Sequence, residues 1–218
     1  MRTFFTVAAL ACVALCVSTA SAQVVHVQFT SGGPYNDGTY AVGPYSGTEN
    51  GTPVSLDCLD FFHQVTSGEL WDANVTGLSS GNLADTRYGN AGLDNYEKQA
   101  YLTTFYAAAV GNQAEITAIQ HAIWGFYYNP PAGFGYIQSD LANHANMDDA
   151  GYWVNLANSN YNEQAAGFYS GFQIITAVDP SAPGSPQEFL TTTPEPTSVA
   201  LLGTGLLCLV PVVRRRRG

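Results

Sequence analysis

The chain has 218 residues, 46% of them hydrophobic and only 11% charged, with 17 acidic against 7 basic residues and a formal net charge of −10. Five of the seven cations stand at the two ends, so residues 23–193 hold sixteen acidic residues against Arg87 and Lys98 alone. Such a body excludes nucleic acid and anionic membrane surfaces as partners, and it is too aromatic and apolar for intrinsic disorder.

The first 22 residues read as a leader. Arg2 gives a basic start, Phe4 to Val17 is apolar, and Ala20-Ser21-Ala22 is a small-residue cleavage site that leaves Gln23 as the mature N-terminus. With Cys12 and Cys16 in this leader and Cys208 in the apolar tail, Cys58 is the one cysteine of residues 23–193. Exported proteins ordinarily pair their cysteines. A single thiol is therefore an inert buried group, half of an intermolecular disulfide, or a reactive group.

In chain order the body begins with strands. Val24 to Thr30 mixes β-branched and polar residues, a second strand is expected near Thr39 to Tyr45, a third over Val54 to Val65 carrying Cys58, and a short one over Leu70 to Thr76. Residues 77–92 read as a loop. The Asp and Asn residues from Asp72 to Asn95 lack the ligand order of a calcium loop, and His26 and His144 lack metal-ligand spacing. No metal or cofactor is implied.

The pattern then turns helical. Asp94, with Glu97 three residues on, predicts an N-cap for a helix running to Val110 and stopping at Gly111. A second helix is expected from Gln113 to Tyr127, ended by Asn129-Pro130-Pro131. One or two short helices follow within 138–166, with Trp153 and Leu156 on the apolar side. Phe172 to Val178 returns to strand, as does Gln187 to Thr192, across the turn-rich segment 180–186. Strands flanking a helical insert predict an α+β domain over 23–193, built on a mainly antiparallel sheet or sandwich.

The second helix carries an anomaly. Ile116, Ile119, Gln120, Ile123 and Tyr127 have the spacing of a core-facing stripe, and Gln120 stands where a core needs an apolar side chain. A buried amide left unpaired costs roughly 1–3 kcal/mol. Either a nearby backbone group bonds it, or chemistry removes it: a thiol displaces ammonia from the carboxamide and leaves an internal thioester. Amides are poor electrophiles, so that reaction depends on holding one thiol against one fixed glutamine.

The run Ile119-Gln120-His121-Ala122-Ile123-Trp124 resembles the glutamine signature of bacterial surface thioester domains, in which an apolar residue, Gln, any residue, Ala, an apolar residue and Trp follow one another on a helix. The resemblance extends loosely over residues 40–178. It implies that Cys58 is the cysteine partner of Gln120, that Ile119, Ala122, Ile123 and Trp124 support the pair, and that a partner amine attacks the bond in a single-turnover adhesive event. That is covalent binding, not enzymatic turnover. One departure is visible: Asp57 precedes Cys58, where the family has an aromatic residue or leucine, and an adjacent carboxylate disfavours thiolate. His63 and His121 are candidates for proton transfer. The alternative class is a non-covalent extracellular matrix or polysaccharide-binding module in which Cys58 and Gln120 are merely buried.

The end of the chain, residues 194–218, reads as an address. Pro194-Glu195-Pro196 precedes an apolar run from Val199 to Val213, followed by Arg214, Arg215, Arg216 and Arg217. As a helix, fifteen residues reach about 22 Å against a hydrocarbon core of about 30 Å, a marginal span whose arginines stay on the cytoplasmic side. This tail resembles the PEP-CTERM sorting signal of exopolysaccharide-producing Gram-negative bacteria. The resemblance implies export, transient membrane insertion, cleavage near Pro-Glu-Pro by an exosortase-type protease, and a place at the cell surface or in the extracellular matrix. The expected ligand there is a surface amine or an exopolysaccharide.

Overall fold

The structure is a computed structural model and describes residues 23–127 and 135–192. The leader through Ala22, the Asn129-Pro130-Pro131 helix stop and the segment from Pro194 to Arg217 lie outside these residues. Among the described residues no helix is long and apolar enough to cross a membrane.

Strand β1 (Gln23–Ser31) begins at the expected mature N-terminus. Its alternation is that of a half-buried strand: Val25, Val27 and Phe29 are buried while His26 and Thr30 face out. The segment expected as one strand near Thr39 to Tyr45 is instead three short pieces, β2 (Tyr35–Asn36), β3 (Ala41–Val42) and β4 (Pro44–Glu49). The interruption is Asp37, whose Oδ1 accepts the N–H groups of Thr39 and Tyr40, both at 2.7 Å, and folds β2 back on β3. The next strand, β5 (Thr52–Cys58), is reached through Asn50-Gly51 at φ 48° and 81°. Two consecutive positive-φ residues are what a two-residue hairpin turn requires.

β5 ends at Cys58 rather than running on to Val65. Leu59 N–H still bonds Glu188 O at 3.0 Å, but Asp60 Oδ1 then accepts the Phe62 N–H at 3.0 Å and turns the chain away. β6 (Leu70–Gly77), β7 (Phe172–Ala177) and β8 (Phe189–Thr192) complete the sheet. The expected sandwich is corrected to a closed barrel of order β1-β4-β5-β8-β7-β6 with every pairing antiparallel. β1 pairs with β4 on one side and β6 on the other, so it consumes the two edges a sandwich would leave open. Phe189 fills the interior, with its ring 6.4 Å from Phe29, 6.2 Å from Tyr45 and 6.0 Å from Trp71, centroid to centroid. The β5–β8 seam is narrow: only Asp57↔Leu190 and Cys58↔Phe189 pair across it.

The helical insert between β6 and β7 holds α1 (Leu93–Thr103), α2 (Tyr106–Ala109), α3 (Gln113–Gly125), α4 (Gly135–Ala142) and α5 (Ala150–Asn160). The single helix expected to Val110 is broken after Thr103. Thr103 and Thr104 hydroxyls bond the carbonyls of Ala100 and Tyr101, at 2.9 and 2.7 Å, and the N–H groups of Thr104 and Phe105 tighten to three-residue bonds. Asp94 is not the cap either. A 3-10 turn, Asn90–Gly92, leads into the helix and puts Asp94 inside the first turn, where its charge complements the helix dipole. α3 has a true cap in Asn112, whose side chain accepts the Glu115 N–H. α3 is the central helix, touching α1, α2, α4 and α5 as well as β2 and β3.

Candidate functional site

Cys58, at the last position of β5, and Gln120, in the middle of α3, meet in the interior, both with no solvent exposure. Gln120 Nε2 donates to the Cys58 carbonyl at 2.9 Å. Gln120 Oε1 accepts two hydrogen bonds, from Tyr106 OH at 2.9 Å and from Gly43 N–H at 3.2 Å. The Cys58 thiol donates to Asp60 O at 3.3 Å and its Sγ accepts from Trp124 Nε1 at 3.4 Å. Gln120 and Trp124 are four residues apart, so they share a helix face: one grips the backbone of Cys58, the other its sulfur. That is the physical content of the Gln-to-Trp spacing.

Around this pair the remaining signature residues act as packing. Ile119, Ala122 and Ile123 have no exposure, and the Ile123 carbonyl accepts from Gln99 Nε2 at 2.9 Å. Gln99, on α1, also donates to Leu59 O at 3.3 Å, tying α3 to the residue after Cys58. Gly43 has φ +84°, and a Cβ there would stand 2.8 Å from Ile116 Cγ2. Only glycine presents this N–H to Gln120 without strain.

The electrostatics keep Cys58 neutral. Burial pushes its thiol up to about 12, with the charges of Asp60 and Asp57 adding to the rise and the Trp124 bond opposing it. Burial likewise pushes the Asp57 carboxyl up to about 7 and the Tyr106 phenol upward, so Tyr106 is a hydrogen-bond donor and not a phenolate.

The two candidate proton carriers bond elsewhere. His63 pairs through Nδ1 with Asp60 and through Nε2 with Arg87 Nη1 at 3.0 Å. Arg87 is the hub of a buried cluster under the 58–63 turn: its Nε meets Asp60 Oδ2 at 3.0 Å, its Nη2 donates to Pro186 O at 2.9 Å, and its backbone N–H donates to Glu188 Oε1 at 2.8 Å. His121 lies between two carboxylates, with Nδ1 2.6 Å from Asp140 and Nε2 3.3 Å from Asp37. Burial alone would lower its pKa, but the two carboxylates reverse this and hold it above the ordinary histidine value. The imidazolium thus clamps the 37–40 turn, which leads into Gly43, onto α3 and α4. A raised folded pKa means that this contribution is complete below the unfolded value near 6.5 and is lost as pH rises through the folded value. Thermal melts should therefore show the midpoint falling between mildly acidic and mildly alkaline buffer, and His121→Gln should flatten that decline.

Two clefts are walled in part by residues that bond the pair, Trp124 in one and Tyr106 in the other. One, of about 270 Å³, is walled by Tyr40, Tyr45, Phe61, Gln64, Trp124 and Gln187. The other, of about 310 Å³, is walled by Pro44, Asp57, Tyr106, Val110, Phe172 and Thr192. The sequence reading missed Tyr106, Gly43 and Gln99. Gln99 had a visible signal, a second glutamine among the buried positions Tyr96, Ala100 and Thr103 of α1. Tyr106 and Gly43 had none, because a tyrosine in an apolar helix and a glycine in a turn are ordinary.

Chemically, the arrangement holds a carboxamide with its oxygen in a two-donor cradle and its nitrogen against the residue that owns the thiol. Two donors on one carbonyl oxygen favour the tetrahedral oxyanion formed when that carbon is attacked.

Comparison with known proteins finds the PEP-CTERM protein-sorting motif over residues 192–217. It begins at Thr192, the last residue of β8, so the sorting segment follows directly on the barrel. The motif makes this an exported protein, handled by an exosortase and sorted to the cell envelope or surface. No curated protein and no solved structure matches the chain.

Proposed function

We propose that residues 23–193 form a covalent binding domain in which Cys58 and Gln120 are joined by an internal thioester. In forming the bond, the Cys58 sulfur adds to the Gln120 carboxamide carbon, and ammonia leaves with the thiol proton. A partner amine later attacks the same carbon, the carbon–sulfur bond breaks, and the amine proton passes to sulfur. The product is an amide between Gln120 and the partner. Nothing in the second step restores the thioester, so each molecule acts once.

The observation that carries this reading is the double bonding of Gln120 Oε1 by Tyr106 and Gly43 while its Nε2 is held on Cys58. A merely buried glutamine needs its polar atoms satisfied; it does not need them satisfied beside the protein body's one cysteine. The raised thiol pKa adds a reason for the bond to persist, since expelling a buried thiolate is unfavourable until a nucleophile has arrived. The cations of the body suit the same reading. Arg87 is enclosed in its cluster, and the Lys98 ammonium lies 5.0 Å over the Tyr161 ring and 5.7 Å over Phe126. The body therefore holds a single amine side chain, and two aromatic rings engage it.

The setting is the surface or extracellular matrix of a Gram-negative cell, reached through transient membrane insertion and exosortase cleavage. The partner is a protein or matrix component bearing a primary amine. The aromatic and amide walls of the 270 Å³ cleft favour a second reading, a non-covalent polysaccharide module. Incubation of the exported protein with methylamine separates the two. Uptake of one methylamine mapped to Gln120 supports the thioester; no uptake supports the non-covalent module.

A further inference from the structure

Asp57 has no counterpart in the thioester-domain pattern, and its surroundings are unusual. It lies on the outer face of the barrel between its cross-strand neighbours Pro44 and Leu190, beneath the α1–α2 segment, and is only 8% exposed. Among the described residues nothing pairs with its carboxylate. It joins none of the ion pairs, no hydrogen bond reaches it, and burial is the sole cause of its shift. Of the hydroxyls in the cleft wall, those of Thr103 and Thr104 bond their own helix, that of Tyr106 bonds Gln120, and those of Ser55 and Thr192 make no hydrogen bond to Asp57. A carboxylate buried without a donor is costly, and this one lines the 310 Å³ cleft.

Cys58 and Gln120 are fully buried behind that cleft, and each is joined to one residue of its wall. Tyr106 lines it and bonds Gln120 Oε1; Asp57 lines it and is covalently joined to Cys58. Pro44, Ala107, Val110 and Phe172 make the rest of the wall largely apolar, with hydroxyls only on Ser55, Thr103, Thr104 and Thr192. One carboxylate in the wall of a largely apolar slot matches a single positive charge on an alkyl stem. It does not match a divalent ion, since no group of three ligating side chains able to hold a metal occurs among the described residues.

We infer that this cleft is the entry and recognition site for the attacking nucleophile, an alkylammonium group of the lysine type, and that Asp57 binds it and takes its proton. This rests on the thioester reading above. In the first step R–NH₃⁺ gives a proton to the Asp57 carboxylate, yielding R–NH₂ and a neutral carboxyl group. In the second, the amine nitrogen bonds to the Gln120 acyl carbon, the carbon–sulfur bond breaks, and a proton from the nitrogen passes to Cys58 sulfur. An ammonium is inert as a nucleophile at neutral pH, so a neighbouring proton acceptor decides the rate. Asp57 and Tyr106 are the titratable groups lining the cleft, and Tyr106 stays protonated.

The test follows amine uptake by intact mass, using a blocked lysine and hydroxylamine, which is already neutral at neutral pH. Asp57→Asn should keep the one-ammonia mass deficit, lose about 100-fold in rate with the blocked lysine, and react with hydroxylamine at nearly the wild-type rate. Asp57→Glu should recover part of the lost rate. The wild-type rate should level off above the pH at which Asp57 ionises, whereas that of Asp57→Asn should keep climbing toward the ionisation of the lysine itself. Equal losses with both amines, unchanged rates with both, or disappearance of the mass deficit in Asp57→Asn would overturn the role of Asp57. Absence of the deficit in the wild type would instead overturn the thioester on which that role depends.

Discussion

Cys58→Ala is expected to abolish amine uptake completely and to lower thermal stability well beyond the loss of one sulfur atom. The proposed bond would join residues 62 apart in sequence, across β5 and α3. By the chain-entropy argument for cross-links, closing a loop of that length stabilises the fold by about 4 kcal/mol. For a domain of this size each kcal/mol shifts the melting midpoint by about 2–4 °C, so the drop should be on the order of 10 °C. Methylamine treatment of the wild type cuts the same cross-link and leaves the sulfur in place. Most of the drop should therefore appear there too, measured by differential scanning calorimetry. Destabilisation of Cys58→Ala with no effect of methylamine would mean that only packing around a free thiol had been lost.

The second large effect is kinetic. Tyr106→Phe removes one of the two donors to Gln120 Oε1 and leaves Gly43 N–H. Loss of one donor to a developing oxyanion slows acyl chemistry by about 10²–10³. The cost to folding is a single buried hydrogen bond, about 1 kcal/mol. Amine uptake should thus fall by that factor while the melting midpoint moves by a few degrees. A parallel loss of rate and of fold would assign Tyr106 a packing role only.

Much of the body was legible residue by residue. The alternation of Val25, Val27 and Phe29 announces β1, and the stripe through Ile116, Ile119 and Ile123 announces α3 and exposes Gln120 as misplaced. The pairing of Cys58 with Gln120 came from a six-residue likeness, not from periodicity, because contact between distant segments has no local signature. Barrel closure was hidden for the same reason. Strands that alternate inward and outward look alike in a sandwich and in a barrel, and only the ring of pairings, in which each of the six strands has two partners, distinguishes them. The break after Thr103 turned on which way two hydroxyls rotate. Asp57 stands out in the sequence as a departure, yet its meaning depends on its carboxylate having no hydrogen-bond partner among the described residues, which only three-dimensional placement reveals.

A stability consequence accompanies the proposed chemistry. An unpaired, nearly buried carboxylate works against folding, and the fold tolerates it in the wall of the 310 Å³ cleft, next in sequence to Cys58. Such local violations of packing rules are expected at functional sites. The sorting segment beyond Thr192 then determines where this site is displayed.

The most direct test is the intact mass of the exported, unreacted protein. A Cys58–Gln120 thioester makes it lighter by one ammonia than its processed sequence. A mass equal to that of the full processed sequence, with Cys58 titrating as a free thiol after unfolding, would contradict the covalent account and leave an exported barrel whose buried glutamine is only hydrogen-bonded.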